Sequence, residues 1–151
     1  MERRRFLYGF VTVLLAPTRA LAASPALAVV CNKESGVTSL SRAQLSALFR
    51  LRTQQFPGGA HASPVNLPPS SAERQEFDRV VLGLEPDEME RSWIDNKIRS
   101  GTAAPRYVSG PAAVARYVAA ERSAIGYLPI ADADASLRVV AIVRNGSVQG
   151  S

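Results

Sequence analysis

The sequence predicts a small α/β fold, a mixed sheet with flanking helices. Two observations carry this. Short continuous apolar, β-branched runs, "LAVVCN" near the start and "AIGYLP" and "LRVVAIV" near the end, have the composition of buried strands. Between them lie segments whose apolar residues recur at helical spacing behind capping residues, in the order β-α-β-α-α-α-β-β, which a layered sheet with helices packed on it satisfies.

The first strand is expected at 26–32, where "ALAVVCN" is bounded by the polar "KESG". A helix should follow in "SLSRAQLSALF". Leu40 serves as staple partner, Ser41 as N-cap and Gln44 as its capping-box mate, with Leu45, Leu48 and Phe49 on one face. Residues 50–64 have the Gly and Pro content of a surface connection, and the prolines of "PVNLP" limit it to a brief extended piece. Next, Ser70 or Ser71 caps a helix carrying Phe77, Val80, Val81 and Leu84. A further helix restarts after Gly83: Pro86 fits its first turn, Asp87, Glu88 and Glu90 suit the positive end of its dipole, and Met89, Trp93, Ile94 and Ile98 form its inward stripe. Pro111 opens another, with Val114, Tyr117 and Val118 inward. "SAIGYLPI" then reads as a strand with an interior Gly126, and "LRVVAIVRNG" as a last strand ending in a turn at Asn145-Gly146.

The 151 residues, 46% hydrophobic and 21% charged, are enough for one core. Residues 1–22 are set apart. A basic start, Arg3-Arg4-Arg5, precedes the short apolar run "FLYGFVTVLLA", and "ALA" at 20–22 supplies the small residues of a cleavage site, so a signal peptide cut after Ala22 is expected, with a single domain over 23–151. Export would place that domain in the periplasm. The leader holds Arg3, Arg4, Arg5 and Arg19 against Glu2, so of the formal +5 about +2 remains. The other arginines are scattered among acids, which excludes a nucleic-acid partner.

Chemistry-bearing patterns are sparse. One cysteine, Cys31, cannot build a disulfide framework, and in its apolar run it reads as a buried strand residue. One histidine, His61, sits in loop-like "PGGAHASP", so no metal site is expected. The acids Asp132 and Asp134 in "ADADAS" read as turn residues. No nucleophile, phosphate-loop or zinc motif is present, so neither an enzyme nor a cofactor is expected. The best site candidate is "NLPPSSAERQEF", 66–77. A helix start presents unpaired N–H groups and a positive dipole end, Ser70 and Ser71 add hydroxyls, and Arg74 in the first turn could reach back to an oxyanion. A plain structural account competes, and the residues by themselves favour it: Ser70 and Glu73 match the capping box S-x-x-E, which would put a carboxylate where the anion would sit. Asn32 and Ser35, at the carboxyl end of the first strand, are further ligand-binding candidates, because α/β sheets place ligands at such ends.

Several pieces in order, "VTSLSRAQLSALF", "FPGG", "PVNLPPSSAERQEFDRVVLG" and "SGPAAVARYVAAERSAIGYLP", resemble the phosphate-binding proteins of ABC transporters, and more closely small single-unit exported relatives of them. The resemblance runs over about 27–129. It implies one lobe of a type II periplasmic binding protein, here similar to the second lobe with hinge-proximal strands; in the family, ligand binds between two such lobes. The family's second lobe brings an arginine and a "GSGT"-like turn to phosphate. The turn falls on Pro69-Ser70-Ser71-Ala72 or one position beside it, with Ser71 as the best counterpart of the family's serine, whereas the arginine position falls on Asn66 or Leu67 and both glycines are missing. The resemblance therefore implies weak capture of a small phosphate-like anion at Ser70, Ser71 and Arg74. By their own context Trp93, on one helical stripe with Met89 and Ile98, and Tyr127, after Gly126 in a strand, read as packing residues. The alternative on the same fold is a module that binds no ligand and docks on a membrane transporter or another envelope protein.

Overall fold

In the computed structural model, which describes residues 24–151, the strand with the most apolar run lies in mid-sheet. Strand β1, Leu27–Asn32, is buried along its whole length, paired antiparallel on one side with β4, Ala124–Pro129, and on the other with β5, Leu137–Arg144. Burial on both faces is why β1 reads as continuous apolar sequence rather than alternation. Strand β2, Ser63–Asn66, runs parallel to β4, and a two-residue strand β3, Arg106–Tyr107, runs parallel to β2 at the sheet edge. Beyond β5, the hairpin at Asn145-Gly146, both in the left-handed region, returns the chain as β6, Ser147–Gly150. The six-stranded mixed sheet has the order β3-β2-β4-β1-β5-β6. Strands β3 and β6 leave no strand signal in the sequence: two residues carry no period, and "SVQG" has only one large apolar side chain.

Helix α1, Arg42–Phe49, forms as its signals require. Ser41 Oγ accepts from the Gln44 N–H at 3.2 Å, Gln44 Oε1 accepts from the Ser41 N–H at 2.8 Å, and Leu45, Leu48 and Phe49 are buried. Helix α2, Ala72–Phe77, is short and passes into a π-helical turn, Asp78–Leu82, which Gly83 ends at φ 70°. The wider turn keeps Val80, Val81 and Leu82 all inward. Helix α4, Pro111–Ala120, buries Val114 and Val118. It lies so close on β4 that a Cβ at Gly126 would stand 2.8 Å from Val114 Cγ1.

Helix α3, Pro86–Ser100, corrects one expectation. Met89 and Trp93 face the core, but Ile94 and Ile98 do not, being 58% and 78% exposed. Ile94 follows Trp93 by about 100° around the helix, and Ile98 falls a further turn along, so the helix can bury one pair or the other. Trp93 decides: its indole N–H donates to the Phe49 carbonyl at 3.0 Å, which fixes the inward face. Across the core, Phe77 stacks on Tyr127 at 4.0 Å between ring centroids and tilts against Phe49 at 4.6 Å.

Candidate functional site

Where β2 ends, Asn66 leads into the turn at 67–71 that carries the two prolines and two serines. The Ser71 N–H donates to the Pro68 carbonyl at 2.9 Å, closing the turn, and Ser71 Oγ accepts from the Arg74 N–H at 3.1 Å. Ser71 is thus the N-cap of α2. The capping box expected between Ser70 and Glu73 does not form, because the helix begins one residue later and its third position is Arg74, which has no acceptor to return. Ser70 is exposed and Ser71 half-buried, and the N–H groups of Ala72 and Glu73 fall in the first turn, which has no intrahelical acceptors.

Arg74 does not reach back to this turn. It is fully buried, with Nε donating to Asp78 Oδ2 at 2.5 Å, Nη1 to the Leu67 carbonyl at 3.0 Å and Nη2 to Glu90 Oε1 at 3.2 Å. The guanidinium lies 5.0 Å from the Trp93 ring and 5.8 Å from the Tyr107 ring, and the Tyr107 hydroxyl donates to the same Glu90 oxygen. Three directional acceptors and two aromatic faces occupy it. Burial alone would lower its pKa, but the charge and hydrogen bond of Asp78 prevail and hold it above the ordinary value. Burial pushes Asp78 up to about 6 against the pull of Arg74, and Asp78 Oδ1 has no partner. This clamp joins the start of α2 to α3 and β3.

Asn66, on which the arginine of the resembled family would fall, is buried too. Its Oδ1 accepts from the Tyr127 hydroxyl and from the Leu67 N–H at 3.1 Å. Tyr127 is a core residue, and burial raises its phenol well above the ordinary range.

The other two candidates lie elsewhere. Cys31 pairs with Ile125 and Ser63 with Ala124, so the end of β1 neighbours the starts of β2 and β4, whereas Ser70 and Ser71 follow the end of β2. The fold therefore does not bring Asn32 and Ser35 to the serine turn. Asn32 Nδ2 donates to the carbonyls of Val118 and Ala119 at 2.9 and 3.0 Å, tying down the end of α4, and its Oδ1 accepts from the Glu34 N–H. Ser35 Oγ accepts from the Val37 N–H at 3.3 Å and borders a cavity of about 270 Å³ with His61 and Arg122. A larger cavity, about 630 Å³, is lined by His61, Ser63, Thr102, Arg106 and Tyr117 and includes none of the candidate residues. Among the described residues no group of three or more His, Cys, Asp or Glu side chains could hold a metal, and no helix is long and apolar enough to cross a membrane.

Asp78, Glu90 and Tyr107 are what the residue pattern alone missed. The i,i+4 spacing of Arg74 and Asp78 was a legible signal for the first; the others come from α3 and β3, which only the fold brings near.

No family model and no curated protein sequence matches the chain. Solved structures do, at the level of fold. A phosphate ABC transporter substrate-binding protein of Clostridium perfringens, solved with bound phosphate, superposes with a TM-score of 0.64 at 20% identity, over 83% of this chain and 48% of its own. A phosphate transport receptor of Vibrio cholerae gives 0.62 at 20% identity over 78% and 47%, and the PstS protein of Borrelia burgdorferi 0.59 at 16% over 83% and 49%. The chain thus spans about half the length of these binding proteins and has the fold of one lobe.

Proposed function

We propose that the chain is an exported, non-enzymatic periplasmic protein built as one lobe of the phosphate-type substrate-binding fold, and that it contacts a small oxyanion of the phosphate class weakly at Ser70 and Ser71. The observation that carries this is the serine turn itself: two hydroxyls, exposed at Ser70 and half-buried at Ser71, and the first-turn N–H groups of α2 stand in the turn that follows the parallel strand β2. The fold match to a protein solved with phosphate supports the ligand class. Neutral donors alone would hold the anion, since Arg74 is committed to Asp78, Glu90 and Leu67. A half-site of that kind leaves much of the ligand in water, so affinity should fall far short of a two-lobed enclosure. Export is expected from the leader at 1–22, which lies outside the described residues.

Isothermal titration with phosphate and with sulfate tests the proposal. Heat at millimolar anion that Ser71→Ala reduces is expected; no heat at those concentrations would sink it.

The commitment of Arg74 favours a second alternative, an envelope module that docks on a transporter or another envelope protein without ligand. There, Ser70→Ala and Ser71→Ala would leave partner capture intact while substitutions on another face abolish it.

A further inference from the structure

The only large apolar side chains exposed among the described residues, Ile94, Ile98 and Tyr107, share one face of the molecule. Ile94 and Ile98 are one turn apart on α3. Tyr107 bonds to Glu90, one turn before Ile94, and continues the stripe. Scattered single apolar residues on a surface are ordinary, but two isoleucines one turn apart on α3 with Tyr107 of β3 beside the same helix mark an unfilled contact.

The charges beside the stripe identify the occupant. At about 100° per residue, Glu90 and Lys97 flank the isoleucines on one side, and Arg91 and Asp95 on the other. Among the described residues, Arg91, Asp95 and Lys97 enter no ion pair within the chain. We propose that this face binds a second copy of the chain, with the two α3 helices crossing antiparallel about a two-fold axis near Ile94. In that register Arg91 meets Asp95 of the second copy on one side, Lys97 meets Glu90 on the other, and the isoleucines fill the seam over the aliphatic stem of Arg91. The same pairs recur by symmetry, as an isologous interface requires. A parallel crossing would instead set Arg91 against Glu90 and Asp95 against Lys97, and exchanging the charges of Arg91 and Asp95 would restore only the antiparallel pairing. The antiparallel crossing also opposes the two helix dipoles favourably. One helix face per copy is a small interface, so association belongs to the micromolar range rather than the nanomolar.

Sedimentation velocity of the purified chain, from low micromolar to high micromolar concentration, tests this. The wild type is expected to approach twice the monomer mass. Ile94→Asp with Ile98→Asp should remain monomeric with an unchanged far-UV circular dichroism spectrum, since neither side chain contributes to the core. Arg91→Asp should weaken association at least about tenfold by facing Asp95 with a like charge, and Arg91→Asp combined with Asp95→Arg should restore it. A wild type that stays monomeric throughout, an isoleucine variant that associates as well as wild type, or a charge swap no better than the single change would each overturn the proposal.

Discussion

Arg74 and Ser71 sit three residues apart and have different jobs. Arg74 is enclosed with Asp78, so Arg74→Ala leaves a buried carboxylate without its cation and should cost about 3–5 kcal/mol, whereas Ser71→Ala removes one cap and should cost about 1 kcal/mol. Urea denaturation of both variants checks the contrast, and shows that only the serine change is a clean probe of anion binding. Asp78 adds a pH signature. Its folded pKa, raised to about 6 from 3.8, exceeds the unfolded value, so the stability it contributes is complete below about pH 4 and is lost as pH rises through about 6. The groups acting on it are Arg74, Glu90 and Glu85. Urea midpoints measured from pH 4 to 7 should therefore fall in the wild type relative to Asp78→Asn; parallel curves for the two proteins would show that Asp78 is not the titrating group.

At the scale of elements, signals in a few neighbouring residues were reliable. The Ser41 and Gln44 box, Pro86 and Pro111 at helix starts, and the Asn145-Gly146 turn all formed where local chemistry placed them. Choices between equivalent options were not so decided. The S-x-x-E pattern at Ser70 and the pattern starting at Ser71 both offer a cap; closure of the turn by the Ser71 N–H and the inward course of Arg74 selected the second. Likewise α3 holds two apolar pairs, and the bond from Trp93 to Phe49 selected which is buried. The contact between α4 and β4 needs a residue without a side chain at 126. Gly126→Ala should force Val114 off its rotamer and cost about 1–3 kcal/mol, visible as a lowered melting temperature; adding Val114→Ala should recover part of that loss by vacating the clash.

Taken as a whole molecule, the described residues share one hydrophobic cluster that joins all four helices to the sheet. Trp93, the single tryptophan, lies inside it, so its fluorescence and the far-UV circular dichroism signal should report one coincident unfolding transition. Separate transitions would mean that α3, whose second half is largely exposed, melts independently of the sheet. The sequence by itself determined the fold class, the continuous burial of β1, the caps and breaks of most helices, and the position of the serine turn, because these depend on period, turn chemistry and residues close along the chain. Only the tertiary structure decided that Arg74 faces Asp78, Glu90 and Tyr107 instead of the turn, that Asn32 and Ser35 lie away from Ser70 and Ser71, and that Ile94 and Ile98 face outward. Each of those outcomes depends on which distant groups the sheet order and the rotation of α3 bring within a few ångströms, and no local pattern encodes that.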